Sequence, residues 1–577
     1  MSVVRKILSY TKRHTIYIIL SLLCSAISVA FTLYIPVLIG NAIDYMIKKG
    51  AVDFKGIIGI ILEIAVFIVF VVVFQWLSGH FTNIISARTV KDLRSDIFGK
   101  LNRVPLSYID SRAHGDLISR ITNDVEAVGD GLTQVITQLF SGIVTIIGTV
   151  IFMLSINVWI ALVVVVLTPL SVLVAGIIGK MCAKSFRDQQ ELQGEISSYV
   201  EEIVGNQKVV KAFAYEERSQ KVFKKKNDRL FTVGLKAQFA GALANPCTRF
   251  VNNMVYAVTG IVGAITVVSS FMGVLTIGQL SCFLTYANQY TKPFNEVTGV
   301  LTQIQTALAA GGRIFDILES SDEPSDENKQ SLENVKGDIE FKHVKFSYSP
   351  EKKLIKDFSL YVKSGQQIAI VGPTGCGKTT LINLIMRFYE VQSGEILIDG
   401  VNTKDIKRDS LRKLFGMVLQ DSWLFSGTIM ENLRYGNADA SDEEIINAAK
   451  LSYAHSFIRK MPDGYNTKLS EGASNLSAGQ KQLLCIARAM ALNPPMLILD
   501  EATSSIDTLT EIRVQKAFKK LMKGRTSFIV AHRLSTIKES DVILVMNDGD
   551  IIEQGTHEEL LNKGGFYSRL YNSQFSA

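Results

Sequence analysis

Ile368-Ala369-Ile370-Val371-Gly372-Pro373-Thr374-Gly375-Cys376-Gly377-Lys378-Thr379 is the stretch on which the reading of this chain turns. Its first four residues make the short, unbroken apolar run of a buried strand, and Thr380 to Phe388 reads as a helix. Between them, Gly372 to Thr379 fits the pattern G-x-x-x-x-G-K-[ST], in the strand-to-helix context that the pattern requires. In such a loop, backbone amides curl around a phosphate and the start of the helix adds its dipole. Lys378 then reaches the β and γ phosphates, and Thr379 offers a hydroxyl to Mg²⁺. This much predicts a bound nucleotide and says nothing of its use.

Two later segments supply the use. Leu476-Ser477-Ala478-Gly479-Gln480 opens a helix that continues through Lys481 to Met490, and Met496-Leu497-Ile498-Leu499-Asp500-Glu501 is an apolar strand ending in two carboxylates. With the phosphate loop, in this order, they resemble the ATP-binding cassette (ABC) ATPase family, whose usual signature is Leu-Ser-Gly-Gly-Gln.

The resemblance implies a full site. Nucleotide would be held by Gly372, Thr374, Gly375, Cys376, Gly377, Lys378, Thr379 and Thr380, with Tyr348, in Phe346-Ser347-Tyr348, stacked on adenine. Mg²⁺ would be met by Thr379, Asp500 and Gln420, the last in Val418-Leu419-Gln420-Asp421 and resembling the family's Q-loop. Glu501 would polarise the attacking water, a contribution of roughly 10²- to 10⁴-fold. His532, after Phe528-Ile529-Val530-Ala531, looks like the switch histidine on the γ-phosphate. Ser477, Gly479 and Gln480 would close on ATP held by a second domain, and Asp507 looks like the D-loop residue that crosses that interface. One chain carries one such ATPase half, so the working unit implied is a dimer using ATP and Mg²⁺.

Ahead of Lys292 the composition changes. A chain of 577 residues implies more than one domain, and its 47% hydrophobic content and mean hydropathy of +0.23 are high for a soluble protein. Stretches without Asp, Glu, Lys or Arg run over 16–43, 64–87, 131–179 and 250–291. With roughly 20 apolar residues to a span, the first two hold one helix each and the last two hold two each, which predicts six spans. Unpaired backbone groups in lipid are costly, so these runs must be helical. The uncharged turns inside the double stretches are expected near Ser155-Ile156-Asn157 and between Ser270 and Gly273.

The long connections carry the cations. Arg88, Lys91, Arg94, Lys100, Arg103, Arg112 and Arg120 lie in one, and Lys180, Lys184, Arg187, Lys208, Lys211, Arg218 and Lys224-Lys225-Lys226 in the other. By the positive-inside rule both face the cytoplasm, as does the amino terminus with Arg5, Lys6, Lys12 and Arg13. The net charge of +7 thus needs no nucleic-acid partner. The basic start is no secretory signal, because its apolar run is too long and more spans follow. Cys24, Cys182, Cys247, Cys282, Cys376 and Cys485 show no C-x-x-C spacing and read as reduced thiols.

Both long connections have helical periodicity, so the spans are expected to continue into the cytoplasm as rods. Their tips are expected at Pro105–Gly115 and Phe213–Ser219. In the resembled exporters such tips dock on the ATPase domains, which makes Tyr108 and Tyr215 contact candidates.

The expected architecture is an all-α six-helix transmembrane domain (1–319), a polar linker (320–336) and an α/β P-loop ATPase domain of ABC type (337–577). This is the layout of an exporter-type half-transporter in a cell membrane with its ATPase domain cytoplasmic. It implies ATP-driven export of a drug-like or lipid compound by alternating access. An importer on the same scaffold and an ATP-gated channel are the alternatives, and intact Glu501 and His532 favour a pump. Polar span residues Glu63, Gln75, Gln134, Gln138, Asn252, Asn253, Asn288 and Gln289 are candidates for lining the substrate path. Ala478, in place of the signature's first glycine, resembles the subunit of heterodimeric exporters that keeps its own catalytic glutamate, which favours a related half-transporter as partner over a second copy.

Overall fold

The computed structural model describes residues 2–46, 52–269, 274–349, 354–419, 422–500, 506–530 and 534–575. The chain forms two compact units, one of residues 1–103 and 112–320, the other of residues 104–111 and 321–577.

Among its described residues the first unit is built of helices and carries no strand. Its long helices are Thr15–Met46, Phe54–Leu101, Pro169–Gly205, Glu216–Ser269 and Ile277–Leu318, and His114–Ile156 runs on through two π-helical turns. At 1.5 Å per residue, the 48 residues of Phe54–Leu101 extend about 72 Å, more than twice the roughly 30 Å hydrocarbon layer. The helix therefore continues beyond any membrane as a rod.

Among the described residues, four helical stretches are long and apolar enough to cross a membrane: Val3–Met46, Phe54–Leu101, His114–Ile156 and Glu216–Ser269. The other two expected spans are weaker for identifiable reasons. A break at Thr168 leaves Val158–Leu167 as a short apolar helix, and Gln279, Asn288, Gln289 and two tyrosines dilute the start of Ile277–Leu318. The turn at Asn157 lies where expected, its side chain accepting hydrogen bonds from the N–H groups of Trp159 and Ile160 (3.0 and 3.2 Å). The turn expected at 270–273 lies outside the described residues.

Polar contacts lock the last helix onto the others. Asp44 accepts from Gly278 N–H (2.9 Å) and Thr276 Oγ1 (2.7 Å) at its start, buried Tyr286 donates to the Leu33 carbonyl (2.6 Å), and Arg313 grips Asp124 through Nε and Nη2 (2.7 and 2.5 Å). The second cytoplasmic tip comes earlier than expected. Its short helix is Gln207–Ala212, Ala214 turns the chain with φ +48°, and the next long helix starts at Glu216.

The second unit is α/β. Its strands are β1 (Ile339–Phe346), β2 (Ile355–Val362), β3 (Gln367–Val371), β4 (Ser393–Ile398), β5 (Val401–Asn402), β6 (Phe415–Val418), β7 (Gly427–Thr428), β8 (Lys468–Leu469), β9 (Met496–Asp500), β10 (Thr526–Val530), β11 (Val542–Asn547) and β12 (Asp550–Gly555). An antiparallel sheet has the order β2-β1-β4-β5, and β7 pairs with β8. The main sheet has the order β12-β11-β3-β10-β9-β6, parallel except for β12. Its central strands are buried on both faces, as their unbroken apolar runs require.

Residues 321–336 are fastened to this unit. The Arg408 side chain, 5% exposed, donates from Nη1 to the Pro324 carbonyl (2.8 Å) and to Asp326 (2.6 Å), and from Nη2 to Glu390 (2.8 Å). Burial works against the Asp326 charge, but the Lys329 hydrogen bond, the Arg408 N–H and both cations outweigh it and bring its pKa down to about 2. Gln330 bridges to Ile406, and the N–H groups of Lys336, Gly337 and Asp338 all bond to Asp399 (2.6 to 3.1 Å).

Candidate nucleotide site

The sheet register assembles the site. Val530 of β10 pairs with Ile370 of β3 on one side and with Asp500 of β9 on the other. Three parallel strands thus end side by side, neighbours about 4.8 Å apart. Ligands of open α/β sheets bind outside such carboxyl ends. The loop starting at Gly372, the segment after Asp500 and the segment after Val530 all leave from this edge. Glu501 and His532 are the first and second residues past their strands, yet they and Gln420 lie outside the described residues.

The loop after β3 is shaped as a cradle. A Cβ on Gly372 would lie 2.2 Å from the Met546 carbonyl oxygen, so only glycine lets β3 turn this close to β11. Gly375 faces open space, with no atom within 4 Å of where a Cβ would stand. The helix Lys378–Ile385 begins where the loop ends, capped by Gly377, and its first-turn amides have no carbonyl partner within the helix. Lys378 Nζ donates to the carbonyls of Gly372 (2.7 Å) and Pro373 (3.0 Å). Thr374 and Thr379 are exposed, whereas Thr380 and Cys376 are buried, so these two can serve a ligand only through their backbone. This helix stops at Ile385, short of the expected Phe388, because Arg387 takes a left-handed φ of +51°.

Tyr348, 52% exposed, follows β1 with its ring held edge-on. Its centroid is 5.0 Å from both Phe346 and Tyr389, with ring planes near perpendicular, and its hydroxyl accepts from Asn383 Nδ2 (3.2 Å) on the phosphate-loop helix. Its outer ring surface remains available.

The signature forms a separate helix start. Ser477 caps Ala478–Leu492, accepting from Gln480 N–H, while Gln480 Oε1 accepts from Ser477 N–H (2.9 Å). A Cβ on Gly479 would lie 2.3 Å from Thr510 Cγ2, so this glycine is demanded by packing against the helix Thr508–Met522. Ala478 is exposed, so its extra methyl costs nothing within the chain. Asp507 caps Thr508–Met522, and the Thr510 N–H holds its carboxyl below the usual range.

Comparison with known proteins fits this geometry. Residues 18–294 match the model of the ABC transporter transmembrane region, and residues 355–504 match that described as ABC transporter. An ABC transporter ATP-binding protein of Bacillus subtilis, YfiC, is 40% identical over 99% of this chain and 94% of its own length. The chain belongs to the ABC transporter family.

The transporter is also 41% identical to a fatty acid ABC transporter ATP-binding/permease protein of Mycobacterium bovis, over 86% of this chain and 78% of that one. It is 33% identical to an ATP-dependent lipid A-core flippase of Syntrophus aciditrophicus, over 100% and 95%. It is therefore an exporter-type half-transporter, integral to a membrane, with a cytoplasmic ATPase domain that binds ATP and hydrolyses it to drive transport. Such a half implies dimerisation and a lipid or small-molecule substrate.

The sequence did not point to Tyr389 and Asn383, which hold the Tyr348 ring, or to Arg408, which clasps Pro324, Asp326 and Glu390. Tyr389 directly follows Arg387-Phe388 beyond the phosphate-loop helix, and only the left-handed turn there gives it a role. A left-handed arginine leaves no trace in composition.

Proposed function

We propose that this chain is one half of a heterodimeric exporter that moves a lipid or amphipathic compound outward by alternating access, through six spans within residues 1–319. Residues 320–336 join them to the ATPase domain at 337–577. The observation that carries the reading is the shared edge of β3, β10 and β9, from which the phosphate loop, Glu501 and His532 all depart.

In this reading the amides of Gly372 and of Thr374 to Thr380 hold the phosphates, Lys378 leaves the loop carbonyls for the β and γ phosphates, and Tyr348 stacks on adenine. Exposed Thr379 and strand-end Asp500 offer the hard oxygen donors that suit Mg²⁺, with Gln420 beside them. When bound, Mg²⁺ would offset charge on the phosphate oxygens. Glu501 orients and deprotonates the attacking water, and His532 holds the γ-phosphate. Ser477, Gly479, Gln480 and Asp507 serve the site across the dimer interface, where exposed Ala478 adds a methyl next to the other half's nucleotide. Apolar substrates fit the composition of the spans, and the names of the fatty acid and lipid A relatives support a lipid.

Glu501→Gln should keep ATP affinity and lower turnover by about two orders of magnitude. An equal loss of binding would remove Glu501 from the water-activating role. Expressed alone, the chain should show little substrate-stimulated ATPase activity and gain it on co-expression with a related half-transporter. Full stimulated turnover by the purified chain would establish a homodimer instead.

A further inference from the structure

Residues 104–111, cytoplasmic tip of the connection between the second and third expected spans, group with the ATPase unit. Their helix Leu106–Asp110 ends on a carboxylate that accepts a 2.7 Å hydrogen bond from the Tyr389 hydroxyl. The same Tyr389 ring meets Tyr348 edge-on at 5.0 Å and Phe346 at 5.7 Å. Burial and the Asp110 carboxylate both raise the Tyr389 phenol pKa, so the hydroxyl stays a donor.

Tyr389 stands on a turn fixed from several sides. Arg387 bonds Glu390 (2.8 Å) and the carbonyls of Thr403 and Ile406 (2.9 and 3.0 Å), Phe388 N–H bonds the Asn383 carbonyl (2.9 Å), and Arg412 lies over the Phe388 ring. Asn383 also holds the Tyr348 hydroxyl. A ring on so constrained a backbone cannot follow Tyr348 and Asp110 independently. Displacing either neighbour changes its fit to the other.

We propose that Tyr389 is a positioning residue that couples the nucleotide base at Tyr348 to the seating of the helix Leu106–Asp110. The proposal rests on the reading of Tyr348 as the adenine platform. Adenine on the outer surface of Tyr348 fixes that ring, the ring fixes Tyr389, and the Tyr389 hydroxyl fixes Asp110. Coupling of this kind is reciprocal, so a seated helix also favours the base.

The test uses the full-length transporter in lipid nanodiscs, with hydrogen exchange of the amides at 104–111 measured with and without AMP-PNP. Nucleotide should slow that exchange about two- to tenfold, the worth of one net hydrogen bond, and inorganic triphosphate, which has no base, should not. Tyr389→Phe should abolish the slowing, lower AMP-PNP affinity by no more than the same roughly two- to tenfold, and leave the melting temperature unchanged. Tyr389→Leu removes the ring brace too, and should weaken AMP-PNP binding about two- to tenfold. Asp110→Ala should match Tyr389→Phe, and the double variant should be no worse than either; it carries the same test if Tyr389→Phe melts early. Slowing that survives Tyr389→Phe or Asp110→Ala, or that triphosphate reproduces, overturns the inference. Should Tyr348→Ala leave AMP-PNP affinity unchanged, the adenine platform itself is wrong. Should it weaken binding while Tyr389→Phe keeps the slowing, only the coupling falls.

Discussion

Leu106–Asp110 and Gln207–Ala212 are helices of five and six residues at the two cytoplasmic tips of the membrane half, yet their surfaces are treated differently. Around the first, Val104 is 6% exposed and Asp110 is bound to Tyr389. Around the second, Val209, Phe213 and Tyr215 are 54%, 79% and 39% exposed. Apolar side chains leave water whenever a surface is offered. The first tip finds one on its own chain's ATPase unit. The second tip leaves these side chains exposed among the described residues of its own unit.

The largest expected effect separates the tips directly. Phe213→Asp should lower substrate-stimulated turnover more than tenfold, as loss of an interface hot spot does, with no fall in melting temperature. Its counterpart Ile109→Asp, at the half-buried position beside Asp110, should lower the melting temperature of the isolated chain. If Phe213→Asp instead destabilises the chain by itself, the second tip is covered internally and the contrast collapses.

A smaller effect concerns the seat of the first tip. Arg408→Met takes from Asp326 and Glu390 the arginine that joins them and leaves each with one cation, Lys329 and Arg387 respectively. Removing one partner of a buried ion pair costs about 3–5 kcal/mol when it leaves a charge alone, and the cations that remain, with the 41% exposure of the Glu390 side chain, reduce this to about 1–2 kcal/mol. Denaturant unfolding of the ATPase unit should register the loss. An unchanged midpoint would mean that the seat is held without its arginine. The smallest effect is that of Tyr348→Ala, about 0.5–1.5 kcal/mol in ATP affinity, the size of a stacking contact. Titration calorimetry that finds none would leave Tyr348 as an ordinary strand aromatic and the first tip with no base to report on.

Much of this was legible in the sequence because the signals were local. The run Ile368–Val371 and the spacing of Gly372, Gly377 and Lys378 specify strand, turn and helix within twelve residues. The apolar stretches announce the membrane half by length alone. What stayed hidden was long-range. Whether Val158–Leu167 joins Pro169–Gly205 into one span depends on a break at Thr168 that hydropathy does not register. The second tip begins at Gln207 because the preceding helix ends at Gly205, with Asn206 out of helical geometry (φ −107°, ψ 26°), a break inside an otherwise helical pattern. Tyr389 and Asp110 are 279 residues apart, a distance over which no periodicity speaks. Residues 320–336 read as a free linker, since acidic residues and a proline look alike whether solvated or clasped.

That clasp decides where the protein can be cut. A soluble ATPase fragment started at Gly337, as the strand pattern invites, would leave Arg408 in its pocket without Asp326 and the Pro324 carbonyl, and would strip Gln330 from its bridge to Ile406. Started at Ser321, the fragment keeps all three. A crystallographer or a screening laboratory choosing between those two first residues is choosing between a domain and a domain with its own wound.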